Sequence, residues 1–241
     1  GTSFAGAGAT NLSGLVSADL DGDGDIDIAA VDSNTSQVFV GLNDGSGGFI
    51  IQTPIDLGGV FQTTDLAVGE VTGDGFADLV VTSGNTGLGS GGVLVLTNDA
   101  LAPGRNFTVG TPLLTGAFNT SSVELADVTG PSFFGSPDGV LDIVAVNDNF
   151  TNGSISVFQN DGGGNFTLVQ SIGGLSGPED LVIGDFNGNF GNDLAVVSNG
   201  VSAEVTVYSG QFFGGTFPLS PFDPTPFDTI PVGAVSDNLT A

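Results

Sequence analysis

The sequence predicts an all-β chain made of about four repeated four-stranded units, and three observations carry that prediction. An acidic loop recurs along the 241 residues, with its first acid at Asp19, Glu70, Asp127 and Asp185, at spacings of 51, 57 and 58 residues. Each loop is followed by a short apolar run and then by an alternating one, which is how strands read. Gly contributes 41 residues and Pro 11, favouring many tight turns over helices.

Within each repeat the elements follow in the same order. The apolar runs lie at residues 28–31, 79–81, 143–146 and 194–197, and the alternating runs at 38–40, 93–96, 155–158 and 205–208. A turn of the Asn-Asp-Gly kind comes next (Asn43, Asn98, Asn160), and then a Phe that opens another extended segment: Phe49, Phe107, Phe166 and Phe217. Four strands in about 50 to 60 residues is the size of a propeller blade, and blades stack by burying the faces of neighbouring sheets. The expected organisation is therefore blades over residues 1–217, with an N-terminal strand in 1–15 completing a blade, and a Pro-rich C-terminal arm over 218–241. Residues 1–10 read as the last strand of a blade, and a fifth loop starts at Asp237, 52 residues after Asp185. The array is read as incomplete, or completed by a neighbouring chain.

Composition removes whole classes of function. The 27 acidic side chains face a single basic one, Arg105, for a formal net charge of −26. Such a charge repels phosphate backbones and anionic membrane surfaces, so neither nucleic acid nor membrane insertion is expected. His, Cys, Met, Trp and Lys are absent, which removes disulfides, thiol nucleophiles, zinc sites, Schiff bases and the Ser-His-Asp triad. No apolar run is long enough to span a bilayer. The absence of Met predicts a processed chain, most simply one whose secretion signal has been removed, and hence a secreted or cell-surface protein. The core is nonetheless ample: 39% of residues are hydrophobic, with 19 Phe.

The acids are lopsided, 23 Asp to 4 Glu, and Asp favours turns and hard-cation loops. A nine-residue turn between two strands directs side chains 1, 3, 5 and 9 to one point, with the carbonyl of position 7, and Gly at positions 4 and 6 closes the turn. Loop 1 fits throughout, with Asp19, Asp21, Asp23 and Asp27 as side-chain ligands and Asp25 through its carbonyl. Four carboxylates this close repel one another without a cation. Loop 2 offers Glu70, Thr72, Asp74 and Asp78; loop 3 offers Asp127, Thr129, Asp138 and Asp142, interrupted by residues 131–137; loop 4 offers Asp185, Asn187, Asn189 and Asp193. Calcium is the expected cofactor, and the alternative for loops 2 to 4 is a turn held by hydrogen bonds alone.

The Asp-x-Asp-x-Asp-Gly-x-x-Asp loop between two strands, repeated at blade spacing, resembles the FG-GAP/VCBS repeat family, which includes the integrin α-subunit propeller. The resemblance covers roughly residues 16–217 and implies a propeller with calcium loops.

Other features are weighed against plainer readings. Phe49, Phe107 and Phe166 recur once per repeat and read as core between blades, rather than as a sugar-stacking platform; Tyr208 reads as core rim. Eight Asn-x-Ser/Thr sequons are candidate glycosylation sites: Asn11, Asn34, Asn106, Asn119, Asn149, Asn152, Asn165 and Asn238. Asp56, Asp65 and Asp180 stand outside the loops without recognisable partners, so no catalytic residue is assigned and no enzyme is expected. The function read from the sequence is a non-enzymatic, extracellular, calcium-binding module, structural or adhesive, self-associating through its termini into a surface layer or filament and contacting other surface proteins. The alternative is a carbohydrate-binding, lectin-like propeller.

Overall fold

The computed structural model describes residues 3–58, 62–84, 91–99, 101–104, 106–130, 138–189, 191–201, 203–210 and 221–231. Arg105, residues 131–137, Phe217 and Asn238 lie outside them, as do the expected strand at 232–236 and the fifth loop start at Asp237.

The chain folds into four antiparallel meanders that form a four-blade propeller-like array. Sheet 1 comprises β1 (Leu12–Ala18), β2 (Asp27–Asp32), β3 (Gln37–Asn43) and an outer strand broken into β4 (Phe49–Ile51) and β5 (Ile55–Asp56). Sheet 2 comprises β6 (Leu66–Gly69), β7 (Asp78–Ser83), β8 (Gly92–Asn98) and the pieces β9 (Phe107–Val109) and β10 (Leu113–Leu114). Sheet 3 holds β11 (Thr120–Ala126), β12 (Asp142–Asn147), β13 (Gly153–Asn160) and β14 (Phe166–Leu175). Sheet 4 holds β15 (Pro178–Gly184), β16 (Asp193–Asn199), β17 (Ala203–Tyr208) and β18 (Asp228–Pro231). The inner strands β1, β6, β11 and β15 run side by side in chain order.

Three apolar layers separate the four sheets. Val31, Val38, Val40 and Leu42 meet Leu79, Val81, Leu94 and Leu96 between sheets 1 and 2. Val80, Val93 and Val95 turn the other way, onto Val123, Ile143 and Phe158. Val144, Val146, Ile155 and Val157 meet Leu194, Val196 and Tyr208 between sheets 3 and 4. The two inner sheets are thus buried on both faces, which is why their middle strands read as continuous apolar runs rather than alternating ones. Phe107 and Phe166 pack half-buried at the margins of these layers, as the repeat pattern expects, and Tyr208 lies inside one. At Gly14 of β1 a Cβ would come within 3.2 Å of the Asp65 Cα, so this glycine lets two inner strands approach closely.

Two expectations about the ends are corrected. The N-terminal segment supplies no strand before β1: Phe4–Ala7 is one turn of 3-10 helix, capped by the Ser3 side chain and stopped by Gly8 in the left-handed region. Small Gly and Ala residues give a strand nothing to pack, whereas Phe4 packs against Phe39 with ring centroids 5.8 Å apart and covers the outer face of sheet 1. The backbone N–H groups of Thr10 and Asn11 then donate to Asp32. Burial acts against the Asp32 charge, but donors from Asn11, Thr10, Thr35 and Asn34 prevail and hold its carboxyl below the usual range.

The C-terminal segment is not a free arm within its described part. Phe222 is fully buried between sheets 3 and 4, and its backbone is gripped at both ends by the Gln170 amide (2.7 and 3.0 Å). Residues 228–231 return as the outer strand of sheet 4, the role the repeat pattern assigned to the segment opened by Phe217. Prolines 224 and 226 lie before this strand and Pro231 closes it at the sheet edge, where a missing N–H costs least.

Phe222→Ala should therefore cost about 3–5 kcal/mol of stability, as for other fully buried aromatics. Urea denaturation measures this, and an unchanged midpoint would restore the free-arm reading.

Candidate metal centre

The four acidic loops join the first strand of each sheet to the second, at one end of the array. Each ends in a buried aspartate: Asp27, Asp78, Asp142 and Asp193 are 0–1% exposed. All four make the same pair of bonds. One oxygen accepts from the backbone N–H of loop position 2: Leu20 (2.8 Å), Val71 (3.0 Å), Val128 (3.0 Å) and Phe186 (2.9 Å). The other accepts from the N–H that ends the third strand or follows it: Asn43 (2.7 Å), Asn98 (2.8 Å), Asn160 (3.0 Å) and Gly210 (2.9 Å). A carboxylate can hold two donors on different oxygens, which amides or hydroxyls do less well. Burial pushes the Asp78 and Asp142 carboxyls above the ordinary value despite these bonds.

Among the described residues, loop 1 alone brings three acidic side chains close enough to share one metal ion. Ligand oxygens of Asp19, Asp21 and Asp27 lie within 4.8 Å of one another. Gly22 and Gly24, at φ of 77° and 96°, turn the backbone so that their N–H groups reach the two Asp19 oxygens at 2.7 and 3.0 Å. The Asp23 side chain is not in this cluster; its carboxylate accepts from the N–H of Asp25, the residue expected to contribute its backbone carbonyl, at 2.9 Å. The donor set fits a hard cation: oxygen ligands only, one of them buried and fixed by two N–H groups.

Loops 2 to 4 keep the turn but use their acids on the backbone. Glu70 accepts from Thr72 and Gly73, and Asp74 from Phe76. In loop 3 Asp127 accepts from Asp138 (3.1 Å) and Gly139 (2.6 Å), so the turn reassembles across the insertion, and Thr129 bonds Asp142 rather than facing Asp127. Burial pushes Asp127 up, with help from Asp138 and Asp142. In loop 4 Asp185 takes Gly188 and Asn189, Asn189 takes Gly191, and the Asn187 amide donates to Asp193 at 3.1 Å. That amide turns a donor toward the carboxylate a cation would use.

The asparagines that open the Asn-Asp-Gly turns have a role that single-repeat reading did not assign. Asn98 donates to Ala77 (2.9 Å) in its own loop and to Leu20 (2.8 Å) in the loop of the preceding blade. Asn160 repeats this with Leu141 (3.0 Å) and Val71 (2.8 Å). The Asn43 amide donates to Ile26 in its own loop (3.1 Å), and no blade precedes it among the described residues. At the fourth blade Gly210 stands at this place, and Asn192 reaches back to the Asp127 carbonyl (2.9 Å) instead. The signal was present as an Asn at this position in three of the four repeats.

A second acidic group lies on the inner strands. The Ser122 hydroxyl stands 3.0 Å from Asp65 and 2.8 Å from Asp180, and Val123 N–H donates to Asp65 at 3.1 Å. Burial, then the charge of Asp180, raises Asp65; burial, with Asp180 and Asp65, raises Glu124, which accepts from the Ile183 N–H. Asp56 sits apart, capping Gly58. Of the sequons, Asn11, Asn34, Asn106, Asn152 and Asn165 are exposed, and Asn119 and Asn149 half-buried.

Comparison with known proteins agrees with this layout. Residues 19–81, from the first acid of loop 1 into β7, match the FG-GAP-like repeat family. Among 43 matching chains of solved structures is a protein from Lactobacillus plantarum, a structural-genomics target. It superposes with a TM-score of 0.56 at 17% identity, over 91% of this chain and 56% of its own, so this chain spans little more than half of that protein. At that identity the likeness shows the fold. No curated protein matches the sequence.

Two outcomes are expected. Asn98→Ala leaves two carbonyls in different blades without their donor and should cost about 2–4 kcal/mol, whereas Asn43→Ala should cost about 1 kcal/mol; paired denaturation curves check the difference. For pH, Asp65 and Glu124 bind protons more tightly folded than unfolded. Their contribution is therefore fully present below the unfolded pKa near 4 and is lost as pH rises through the raised folded values. Without divalent cations, the fall in stability with rising pH across that window should be shallower in Asp65→Asn, as thermal melts at stepped pH would show.

Proposed function

We propose that this chain is a non-enzymatic, calcium-binding propeller module that works as a rigid structural element outside the cell. The observation that carries the reading is the convergence of Asp19, Asp21 and Asp27 in loop 1. FG-GAP repeats often bind calcium and are typical of extracellular or surface proteins, and loop 1 opens the matched segment. With oxygen-only ligands and three carboxylates, loop 1 suits calcium at the affinity of extracellular modules, Kd about 10⁻⁴ to 10⁻³ M. Calcium there would be held by Asp19, Asp21 and Asp27 and would offset the mutual repulsion of the three carboxylates. Loops 2 to 4 act as hydrogen-bonded turns of the same shape.

A structural role is supported by where the polar groups go. The loop acids accept backbone N–H groups, the asparagines tie blade to blade, and the acidic trio on the inner strands (Asp65, Glu124, Asp180) is engaged by Ser122 and by backbone N–H groups. With no His, Cys or Lys, acid–base chemistry would fall on that trio. A high negative charge keeps such a module soluble and makes its contacts with other surfaces cation-dependent.

Calcium at about 100 times Kd should add about 2.7 kcal/mol to stability. Melting with calcium and with chelator should therefore differ in the native chain. The difference should vanish in Asp21→Ala, which leaves the Asp27 bonds to Leu20 and Asn43 in place, and should persist in Asp74→Ala of loop 2. Identical melting of the native chain with and without calcium would overturn the calcium reading.

A further inference from the structure

The face of sheet 1 that looks away from sheet 2 is shaped around the N-terminal turn. In the other three sheets, the third-strand residue opposite the one that follows the buried loop aspartate is large and packs onto the preceding sheet: Leu96, Phe158 and Tyr208 are 0%, 2% and 4% exposed. Sheet 1 has Gly41 at this place, paired with Ile28. The Phe4 ring takes up the space: a Cβ built on Gly41 would stand 3.5 Å from Phe4 Cε1. The same ring lies against Phe39, which pairs with Ala30 as Leu94 pairs with Val81, and both Phe39 and Ala30 are buried. Phe4 thus sits where a preceding sheet sits in the other three blades.

The turn is lightly held. Among the described residues, the hydrogen bonds of residues 3–9 stay within the turn: Ser3 accepts from Ala5 and Gly6, Ala5 from Gly8, and Phe4 from Ala9. The apolar seat of the half-buried Phe4 ring, not a hydrogen bond, therefore keeps the turn on the sheet. Gly8, in the left-handed region, and Ala9 join it to Thr10, which Asp32 anchors.

Around this seat sheet 1 keeps the features of a stacked blade. Four residues before each first loop acid stands an apolar side chain that packs onto the preceding sheet: Leu66, Val123 and Leu181 are each 3% exposed, whereas Leu15 is 68% exposed. Asn43 makes the bond to its own loop that Asn98 and Asn160 make, and those two add a bond to loop position 2 of the preceding blade, at Leu20 and Val71. The complementary surface is the face of sheet 4 that looks away from sheet 3. Register places Ala195, Val197, Val205 and Val207 there, equivalent to Val144, Val146, Ile155 and Val157, the side chains of sheet 3 on which sheet 4 packs. Val182 and Ile230 lie on the same face and are each 51% exposed. Asp180 also lies there, five residues before its loop acid; sheet 1 has Gly14 at this place and so brings no carboxylate against it.

We infer that the Phe4–Ala7 turn is an autoinhibitory plug in a docking surface for a second copy of this chain. Seated, Phe4 closes sheet 1. Withdrawn, it leaves a face that takes the outer face of sheet 4 of the second copy, in the geometry of the three junctions within the array. Leu15 then packs as Leu66 does, and Asn43 gains the Phe186 carbonyl of that copy, at the loop position of Leu20 and Val71. The contact joins two different surfaces and leaves one of each unused, so copies add head to tail.

Size-exclusion chromatography with light scattering tests this, in chelator at about 0.15 M salt, where charges more than about 8 Å apart are largely screened. The native chain should run as a monomer. Phe4→Ala empties the seat, and Gly41→Leu fills it with the side chain that sheet 2 carries at Leu96. A Cβ at Gly41 meets only side chains, at 3.3 Å or more, so the sheet accommodates it, and melting curves verify the fold of both variants. Both should show a mass that climbs with concentration to the dimer and higher multiples, and adding Val182→Glu to either should return the monomer. Either folded variant staying monomeric at every concentration would overturn the proposal. So would association that persists with Val182→Glu, or a native chain that associates as strongly as the variants. Working in chelator keeps each result separate from the calcium reading, which rests on loop 1.

Discussion

The buried aspartate that ends each acidic loop is the contact on which the array depends. It sits where a loop, the second strand and the end of the third strand meet, and it satisfies one backbone N–H from each side. A buried N–H without a partner costs free energy on the scale of a lost hydrogen bond, and so does a buried carboxylate without donors. Each would be costly alone; together they fix the loop geometry four times over. The asparagine beside this junction extends it sideways by donating to the preceding loop in blades 2 and 3.

That junction separates shape from cation binding. Loops 2 to 4 keep the turn through Glu70, Asp127 and Asp185 accepting backbone N–H groups. Loop 1 keeps the same turn through Asp19 and gathers the carboxylates of Asp19 and Asp21 beside the aligned oxygen of Asp27. A site of this kind suits an ion, since its most buried ligand is already oriented by two backbone N–H groups. The apolar layers between sheets carry most of the burial, while the polar junctions set which sheet follows which.

Much of this was legible in the sequence because repeats report structure directly. The loop acids, the apolar runs at residues 79–81 and 143–146 and the phenylalanines Phe49, Phe107 and Phe166 all lie where the spacing places them. Loop 1 was legible because its glycines and aspartates alternate without a break. The ends were not legible, because there the repeat stops and packing decides. Residues 1–10 look extended in composition, yet one phenylalanine seated on Phe39 settles Phe4–Ala7 as a helical turn. The proline-rich tail reads as a linker until Phe222 is seen in the core, since a single anchoring aromatic leaves no periodic trace. The interruption in loop 3 was ambiguous because hydrogen bonds from Asp138 and Gly139 to Asp127 join residues 11 and 12 apart. Asp23 stands outside the loop 1 cluster because its carboxylate turns back onto the Asp25 N–H, which an alternating acidic run does not reveal.

The central claim is that the aspartate junction is intrinsic to the fold and precedes any ion. Native-state amide exchange in chelator measures it at Leu20, Val71, Val128 and Phe186, whose N–H groups have the loop aspartate as acceptor. The account predicts protection at these four amides comparable with the cores of β2, β7, β12 and β16, with calcium adding protection only around loop 1. Exchange at the rate of open loops in chelator, with protection restored by calcium in all four, would contradict it.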